Sequence, residues 1–386
     1  MQLSLKNDII SPNKFEVLFM LATSSTTAPQ ENNLIECNAD QGFISWLSQA
    51  GGSVAITTYQ AGKLALVGWN GQQITMLLRQ FSKPMGLTVH GSRLALATHH
   101  EVYLLANAPT LAYEYLEDQP GRYDALYLPR MTYFTGDLNI HDLEFGREGL
   151  WIVNTRFSCL SALSPDFSFV PRWHPKFISK VVPEDRCHLN GLAMVDGKPK
   201  YVTALGATDT VGGWRSGKAN GGVVVEVESN EIIVDGLSMP HSPIWHDGFL
   251  WLLNSGAGEV WRIHPESGDK QVVCVLPGFL RGLCCVGYYA LVGLCQIRER
   301  HIFGGLPITQ RFEQLLCGVA VVDLRNGQQV GMLKFTTGCQ ELYDVQFLAG
   351  VQRPMVLNSE RKEIRQAFTA PELNYWLRPS AVIPND

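Results

Sequence analysis

The stretch His141-Asp-Leu-Glu-Phe-Gly-Arg-Glu-Gly-Leu-Trp-Ile-Val-Asn154 decides the fold. A short apolar run opens on a polar residue, a Gly-containing turn follows, and a second apolar run ends on an amide: the pattern of a β-hairpin. The same order returns along the chain. First runs also begin at Met85, His188, His241, Arg281 and Tyr343, and the matching second runs occupy residues 94–98, 200–204, 250–254, 290–294 and 354–358. With His141 included, successive starts lie 56, 47, 53, 40 and 62 residues apart. Recurrence at such a period, several strands to the unit, marks propeller blades, because a four-stranded sheet buries both faces only between two neighbours.

Almost nothing between residues 53 and 365 has helical periodicity, so the reading is all-β: a single β-propeller over residues 43–368. A double sandwich is the alternative. Six blades can be counted. The second run Val54 to Thr58 lacks a first strand, or has it replaced by the helix-like Phe43 to Ala50. With residues 63–69 and 73–79 it forms a seventh blade, the favoured count, or completes a ring of six by pairing with the C-terminal strands. Residues 1–42 read as an irregular extension and residues 369–386, with Pro371, Pro379 and Pro384, as a C-terminal tail.

Composition narrows the function. The chain has 386 residues, 46% of them hydrophobic and only 17% charged, enough to bury a large core. A net charge of -5 and the absence of long basic runs exclude a nucleic-acid footprint. No apolar stretch approaches the ~20 residues of a membrane helix. Phe15 to Ala22 resembles a secretory signal, but Glu16 interrupts it and the stretch behind it is a poor cleavage site. Nine cysteines, an odd number without any CxxC pair, read as reduced, buried residues of a cytoplasmic protein. Motifs of serine hydrolases, phosphate-binding loops, zinc proteases and dinucleotide folds are absent.

Adjacent antiparallel strands reverse direction, so the first residue of each first run and the last residue of each second run converge on one mouth of the channel. The first positions are Met85, His141, His188, His241, Arg281 and Tyr343. Three imidazoles in step, His141, His188 and His241, with Asn154, Asn190 and Asn254 around them, form a candidate site for zinc, iron, manganese or copper. Asp142 and Asp209 are candidates to orient or complete it. Arg281, Arg156, Arg298 and Glu299 are candidates to hold an anionic substrate, Tyr343 to donate a proton, and Tyr59, Trp214 and Arg215 to overhang the mouth. Each has a plainer alternative: a histidine that staples two blades, an asparagine that caps a turn, an arginine in an interblade ion pair, an aromatic ring that anchors a loop. Cys187 beside His188 points to the opposite strand face, which makes a poor nucleophile and base couple.

Asn154-Thr-Arg-Phe-Ser-Cys-Leu160, Glu184-Asp-Arg-Cys-His-Leu-Asn-Gly191, Met239-Pro-His-Ser-Pro243 and Pro277-Gly-Phe-Leu-Arg-Gly282 carry a resemblance that runs from about Phe43 to Pro354. In these the chain resembles a bacterial family of conserved hypothetical proteins, a domain of unknown function sometimes joined to tetratricopeptide repeats. His241-Ser-Pro-Ile-Trp245 is also similar to the Glu-Gly-Pro-x-Trp blade motif of gluconolactonase-type propellers, whose glutamate binds a divalent cation. Histidine in that place implies a transition metal or zinc rather than calcium.

The expectation is an enzyme, metal-dependent through His141, His188 and His241, that hydrolyses, isomerises or oxidises a small anionic molecule. A metal-free variant would use His and Asp as acid and base. The alternative from another class is a binding module for a peptide, a glycan or a protein partner. An enzyme should enclose the histidines in a deep pocket, whereas a scaffold should expose a broad patch.

Overall fold

The structure, a computed structural model, describes residues 34–297 and 304–378. Arg298, Glu299 and the apolar run at residues 15–22 lie outside the described residues.

An outer strand, β1 (Glu36–Ala39), and a helix, α1 (Gln41–Gln49), precede the first blade strands, β2 (Gly52–Thr58), β3 (Lys63–Trp69) and β4 (Ile74–Gln80). Blade 2 comprises β5 (Leu87–His90), β6 (Arg93–Ala97), β7 (Glu101–Asn107) and β8 (Ala125–Phe134). Blade 3 comprises β9 (Ile140–Gly146), β10 (Gly149–Asn154), β11 (Cys159–Ala162) and β12 (Val170–Trp173). Blade 4 follows with β13 (Leu189–Val195), β14 (Lys198–Ala204), β15 (Gly222–Glu226) and β16 (Ile232–Leu237). Blade 5 has β17 (Pro240–His246), β18 (Phe249–Asn254), β19 (Glu259–Ile263) and β20 (Lys270–Val275). Blade 6 has β21 (Phe279–Val286), β22 (Tyr289–Cys295), β23 (Gly318–Asp323) and β24 (Gln328–Thr337). The chain then returns as β25 (Val345–Ala349), β26 (Pro354–Val356) and the hairpin β27 (Ala367–Ala370) to β28 (Leu373–Trp376).

The propeller has six blades, not the favoured seven. The Val54 to Arg79 segment does not stand alone: β25 pairs antiparallel with β2, Ile56 opposite Val345, and supplies the innermost strand of blade 1. The Pro354 to Asn358 run, read as the partner of Tyr343 to Phe347, instead places β26 parallel to β8 on the outer edge of blade 2. The helix-like segment is indeed α1, capped by the Asp40 carboxylate through Phe43 N at 2.8 Å. It takes no strand's place. β1 adds a fifth strand to the outside of blade 6, and β27 and β28 form a hairpin.

Burial explains why the strands read as continuous apolar runs. Every residue of β2 is buried, since each blade is covered on both faces. Six apolar clusters fill the six interblade spaces. One holds Val153, Leu189, Leu192 and Val202 between blades 3 and 4, and another holds Leu253, Leu280, Leu283 and Val292 between blades 5 and 6.

Near the axis the interfaces alternate in kind. Between blades 1 and 2, 3 and 4, and 5 and 6 an inner-strand side chain accepts a backbone N–H from the next blade. Asp344 accepts from Leu87 at 2.9 Å, Asp142 from Leu192 at 2.8 Å and Ser242 from Gly282 at 3.0 Å. At the other three interfaces a glycine lets two backbones close up. A Cβ on Gly191 would stand 2.3 Å from Pro243 Cδ, and one on Gly282 only 2.6 Å from Val345 N.

Candidate functional site

Four of the six inner hairpins carry a register irregularity near the mouth, and this decides which side chains face the channel. Ile140 pairs with Asn154, Pro240 with Asn254, Leu189 with Ala204 and Leu280 with Leu294. The residues that follow are therefore equivalent: His141, His241, Asn190 and Arg281. His188 is not in step with His141 and His241, which corrects the expectation from the repeat. It sits two residues earlier, at a left-handed position with φ 51°, where neighbouring blades place Lys83, Asn139 and Met239 at φ 50°, 53° and 49°.

The offset does not separate the rings. His141, His188 and His241 line one cavity of about 300 Å³ at the mouth, and Tyr59, Arg156, Trp214, Arg215, Arg281 and Tyr343 line it too. The His141 and His188 rings meet edge to face at 4.6 Å, and His141 and Tyr343 at 5.5 Å.

All three imidazoles are tied by Nδ1. That of His141 lies 2.8 Å from the Asn139 carbonyl and 2.9 Å from Thr155 Oγ1, and that of His241 lies 2.8 Å from the Met239 carbonyl and 3.0 Å from Ser255 Oγ. His188 Nδ1 faces both oxygens of Asp185 at 2.9 Å. A carbonyl only accepts, so Nδ1 of His141 and His241 carries the proton and Nε2 keeps its lone pair. Among the described residues nothing hydrogen-bonds any of the three Nε2 atoms. Burial holds both His141 and His241 well below the ordinary histidine range, with help from His188 for the first and Arg281 for the second. Both are neutral at pH 7.

Aromatic rings place the cations. Arg281 lies 5.2 Å over Phe279 and 5.3 Å over Tyr343, Arg215 lies 4.5 Å over Trp214, and Lys83 lies 5.3 Å over Tyr59. Arg156 is less available, because its guanidinium pairs with Asp137. Tyr343 is buried, its hydroxyl has no partner among the described residues, and burial raises its phenol well above the usual value, so it stays protonated. Lys83, Asp185 and Glu341 also line the cavity and were missed in the sequence. For Asp185 the signal was present in Glu184-Asp-Arg-Cys-His188, but only its left-handed φ of 48° brings the carboxylate back onto His188.

His141, His241 and Tyr343 also form the roof of a smaller axial chamber of about 20 Å³, room for about one water. Asp142 and Asn190 belong to this chamber rather than to the mouth, with Glu144 and Asp344. Asp142 takes the N–H groups of Leu143 and Leu192 and does not touch His141. Burial raises its carboxyl well above the usual range and lifts Glu144 to about 8 and Asp344 to about 7.

The remaining candidates stand apart from the cavity. Asp209 accepts from Ser179 N and Arg186 Nη1, bonds that hold its carboxyl down at about 2. Asn154 accepts from Phe157 N, and Asn254 joins Ser238 N to Glu259, so both lock turns. Among the described residues no group of three or more His, Cys, Asp or Glu side chains is placed to hold a metal ion. No described helix is long and apolar enough to cross a membrane.

None of the curated protein sequences matches this chain. Among solved structures, the crystal structure of TolB from Acinetobacter baumannii is similar at 10% sequence identity with a TM-score of 0.43, over 78% of this chain and 67% of that one. A family model described as a domain of unknown function, DUF4915, matches residues 41–357, and over that span, most of its length, the chain belongs to this family.

Proposed function

We propose that the mouth cavity binds a small anionic molecule and transforms it by imidazole acid–base chemistry, as a hydrolase or isomerase. The observation that carries this reading is the shared orientation of His141, His188 and His241: each is fixed through Nδ1 and leaves Nε2 without a partner among the described residues, in the cavity that Arg281 also lines. Neutral His141 and His241 are proton acceptors, and protonated Tyr343 is a donor. Asp185 fixes the orientation of the His188 ring through Nδ1. No serine, threonine or cysteine lines the cavity among the described residues, so the reading uses water or a proton of the substrate itself rather than an acyl-enzyme. A concave cavity of about 300 Å³ also fits a small molecule better than a peptide, glycan or protein surface.

A second reading keeps a divalent metal on the imidazoles. Nδ1 tethering to carbonyl and carboxylate is how metal-binding histidines are held. The chain would then supply Nε2 from His141, His188 and His241, and an ion there would polarise a substrate oxygen.

The test begins with a thermal-shift screen of small anions, product detection by mass spectrometry, and elemental analysis of protein purified without chelator. His188→Asn and Asp185→Asn should leave binding of the identified anion within about threefold and lower turnover ~100-fold, the usual size of a positioned acid–base contribution. Equal turnover by these variants, or no anion that shifts the melting temperature, sinks the proposal. Stoichiometric zinc, iron, manganese or copper that is lost in His141→Asn and His241→Asn would favour the second reading instead.

A further inference from the structure

We propose a second ligand site, on the face of the ring opposite the mouth, that takes a small molecule with one carboxylate or phosphate head and an apolar body. It is independent of the mouth cavity. β3 starts just after Tyr59 at the mouth and runs away from it to the turn at residues 70–73, a strand length of about 20 Å. Between that turn, the loop 119–123 that leads into β8 and the start of β26 lies a concave pocket of about 590 Å³. Its size is that of a small-molecule site.

Two arginines, Arg122 and Arg353, line this pocket, and among the described residues no acid does. The backbone that carries Arg353 is fixed on both sides. Asp124 accepts Gln352 N at 2.9 Å with one oxygen and Arg353 N at 2.8 Å with the other, while Trp69 N donates to the Gln352 carbonyl at 2.9 Å. The carboxylate that meets residue 353 is thereby spent on backbone N–H groups. Among the described residues the Arg353 guanidinium has no hydrogen bond, ion pair or ring contact, and its Nε is closed off from solvent. Arg122 is exposed, and its guanidinium bonds only the neutral Gln119 side chain. On the same loop Glu117 pairs with Arg378 and Asp118 accepts from Gln119 Nε2. A half-buried cation is ordinarily answered by an acid. Here that charge is left to a ligand.

The remaining walls describe the rest of the molecule. Leu66, Met76 and Leu77 of blade 1 face the pocket together with Pro120 and Pro354. A bare inorganic anion would leave these walls wet, and a neutral apolar molecule would leave the cation unanswered. The guanidinium fork matches two oxygens of a carboxylate or of a phosphate equally well. Arg122 adds to the attraction from the rim through its field, without having to touch the ligand.

Calorimetric titration of the whole protein with phenyl phosphate, phenylacetate, benzyl alcohol, inorganic phosphate and acetate tests the site. At least one of the two headed aromatics should bind about tenfold or more tighter than benzyl alcohol and than its own bare head, the effect of one charge-assisted pair. Whichever of the two binds tighter assigns the head as phosphate or carboxylate. Arg353→Gln should bring that probe down to the benzyl alcohol level. Arg122→Gln and Gln73→Glu, both on exposed turns, should each weaken it about threefold, the size of one solvent-exposed charge. Arg215→Gln, at the mouth, should leave it within about twofold, as distant sites do. Melting temperatures check the fold of each variant, and Arg122→Gln with Gln73→Glu carries the test should Arg353→Gln not fold. Binding that survives Arg353→Gln, or that is indifferent to both Arg122→Gln and Gln73→Glu, overturns the site. Binding lost in Arg215→Gln instead places the anion at the mouth and overturns it too, while the reading of the mouth stands. Equal binding of benzyl alcohol overturns the anionic head, and equal binding of the bare anions overturns the apolar body. No binding by any probe at about 50 mM, far weaker than an ordinary millimolar site, removes the proposal.

Discussion

One hydroxyl does two tasks at Thr155. It donates to the Leu189 carbonyl of the next blade at 2.6 Å and receives His141 Nδ1 at 2.9 Å, so a single buried residue couples an interblade bond to the tautomer of a site histidine. Ser255 stands in the same relation to His241, fourteen residues on in both cases. Thr155→Val keeps the shape and removes both bonds. It should cost about 1–3 kcal/mol in urea unfolding, the price of an orphaned buried partner, while Thr155→Ser should cost less than half of that. Equal losses for the two variants would show that the hydroxyl does not matter. At this scale His141, His241, Arg281 and Tyr343 could be read from the repeat, because equivalent hairpins place equivalent residues. His188 could not be placed correctly, since it occupies the left-handed position before its strand, equivalent to Asn139 and Met239 rather than to His141, nor could Asp185, whose role depends on backbone angles that spacing does not reveal.

Between elements, the acidic residues of the inner strands serve the ring rather than the mouth. Asp142 and Asp344 latch one blade to the next, and Glu144 accepts from Thr88 Oγ1 across blades 2 and 3. Burial lifts Glu144 to about 8 and Asp344 to about 7, so the folded chain keeps protons that the unfolded chain releases above its ordinary carboxylate range. Stability from these groups is full in acid and is lost as pH rises through 7 and 8. His141 and His241 act on the opposite limb, because their lowered values make protonation below about 6.5 favour the unfolded chain. The melting temperature should therefore peak in mildly acidic buffer and fall by a few degrees between pH 6 and 9. Glu144→Gln should flatten the alkaline limb; a wild-type profile that rises toward pH 9, or a variant with the same slope, would contradict this account. Asp142 looked like an auxiliary of its neighbour His141 because the two are adjacent in sequence. In a strand adjacent side chains take opposite directions, and here one faces the mouth and the other the axis.

At the scale of the whole molecule, closure rests on β25. The N-terminal strands β2 to β4 cannot complete a blade until residues 345–349 arrive from the other end of the propeller, and the same return delivers Glu341 and Tyr343 to the cavity. A chain ended after Cys339 should lose its near-ultraviolet circular dichroism and elute as aggregate, because it exposes the inner edge of β2 and strips one wall from two interblade clusters. A chain ended after Asn358 keeps the ring closed and should stay folded and monodisperse, though less stable, since the β27–β28 hairpin covers the cluster around Leu111 and Met355. Should the shorter chain fold as well as the longer one, closure by β25 is not what holds the ring.

The amino-acid sequence by itself determined an all-β propeller and the convergence of its inner hairpins, because both follow from apolar periodicity and turn chemistry, which are local and repeat. Tertiary structure alone decided the blade count, the partner of Val54 to Thr58, the offset of His188 and the division of the polar residues between mouth and axis. Those depend on strand pairings between residues hundreds of positions apart and on single bulges, and neither leaves a mark in the local pattern of side chains.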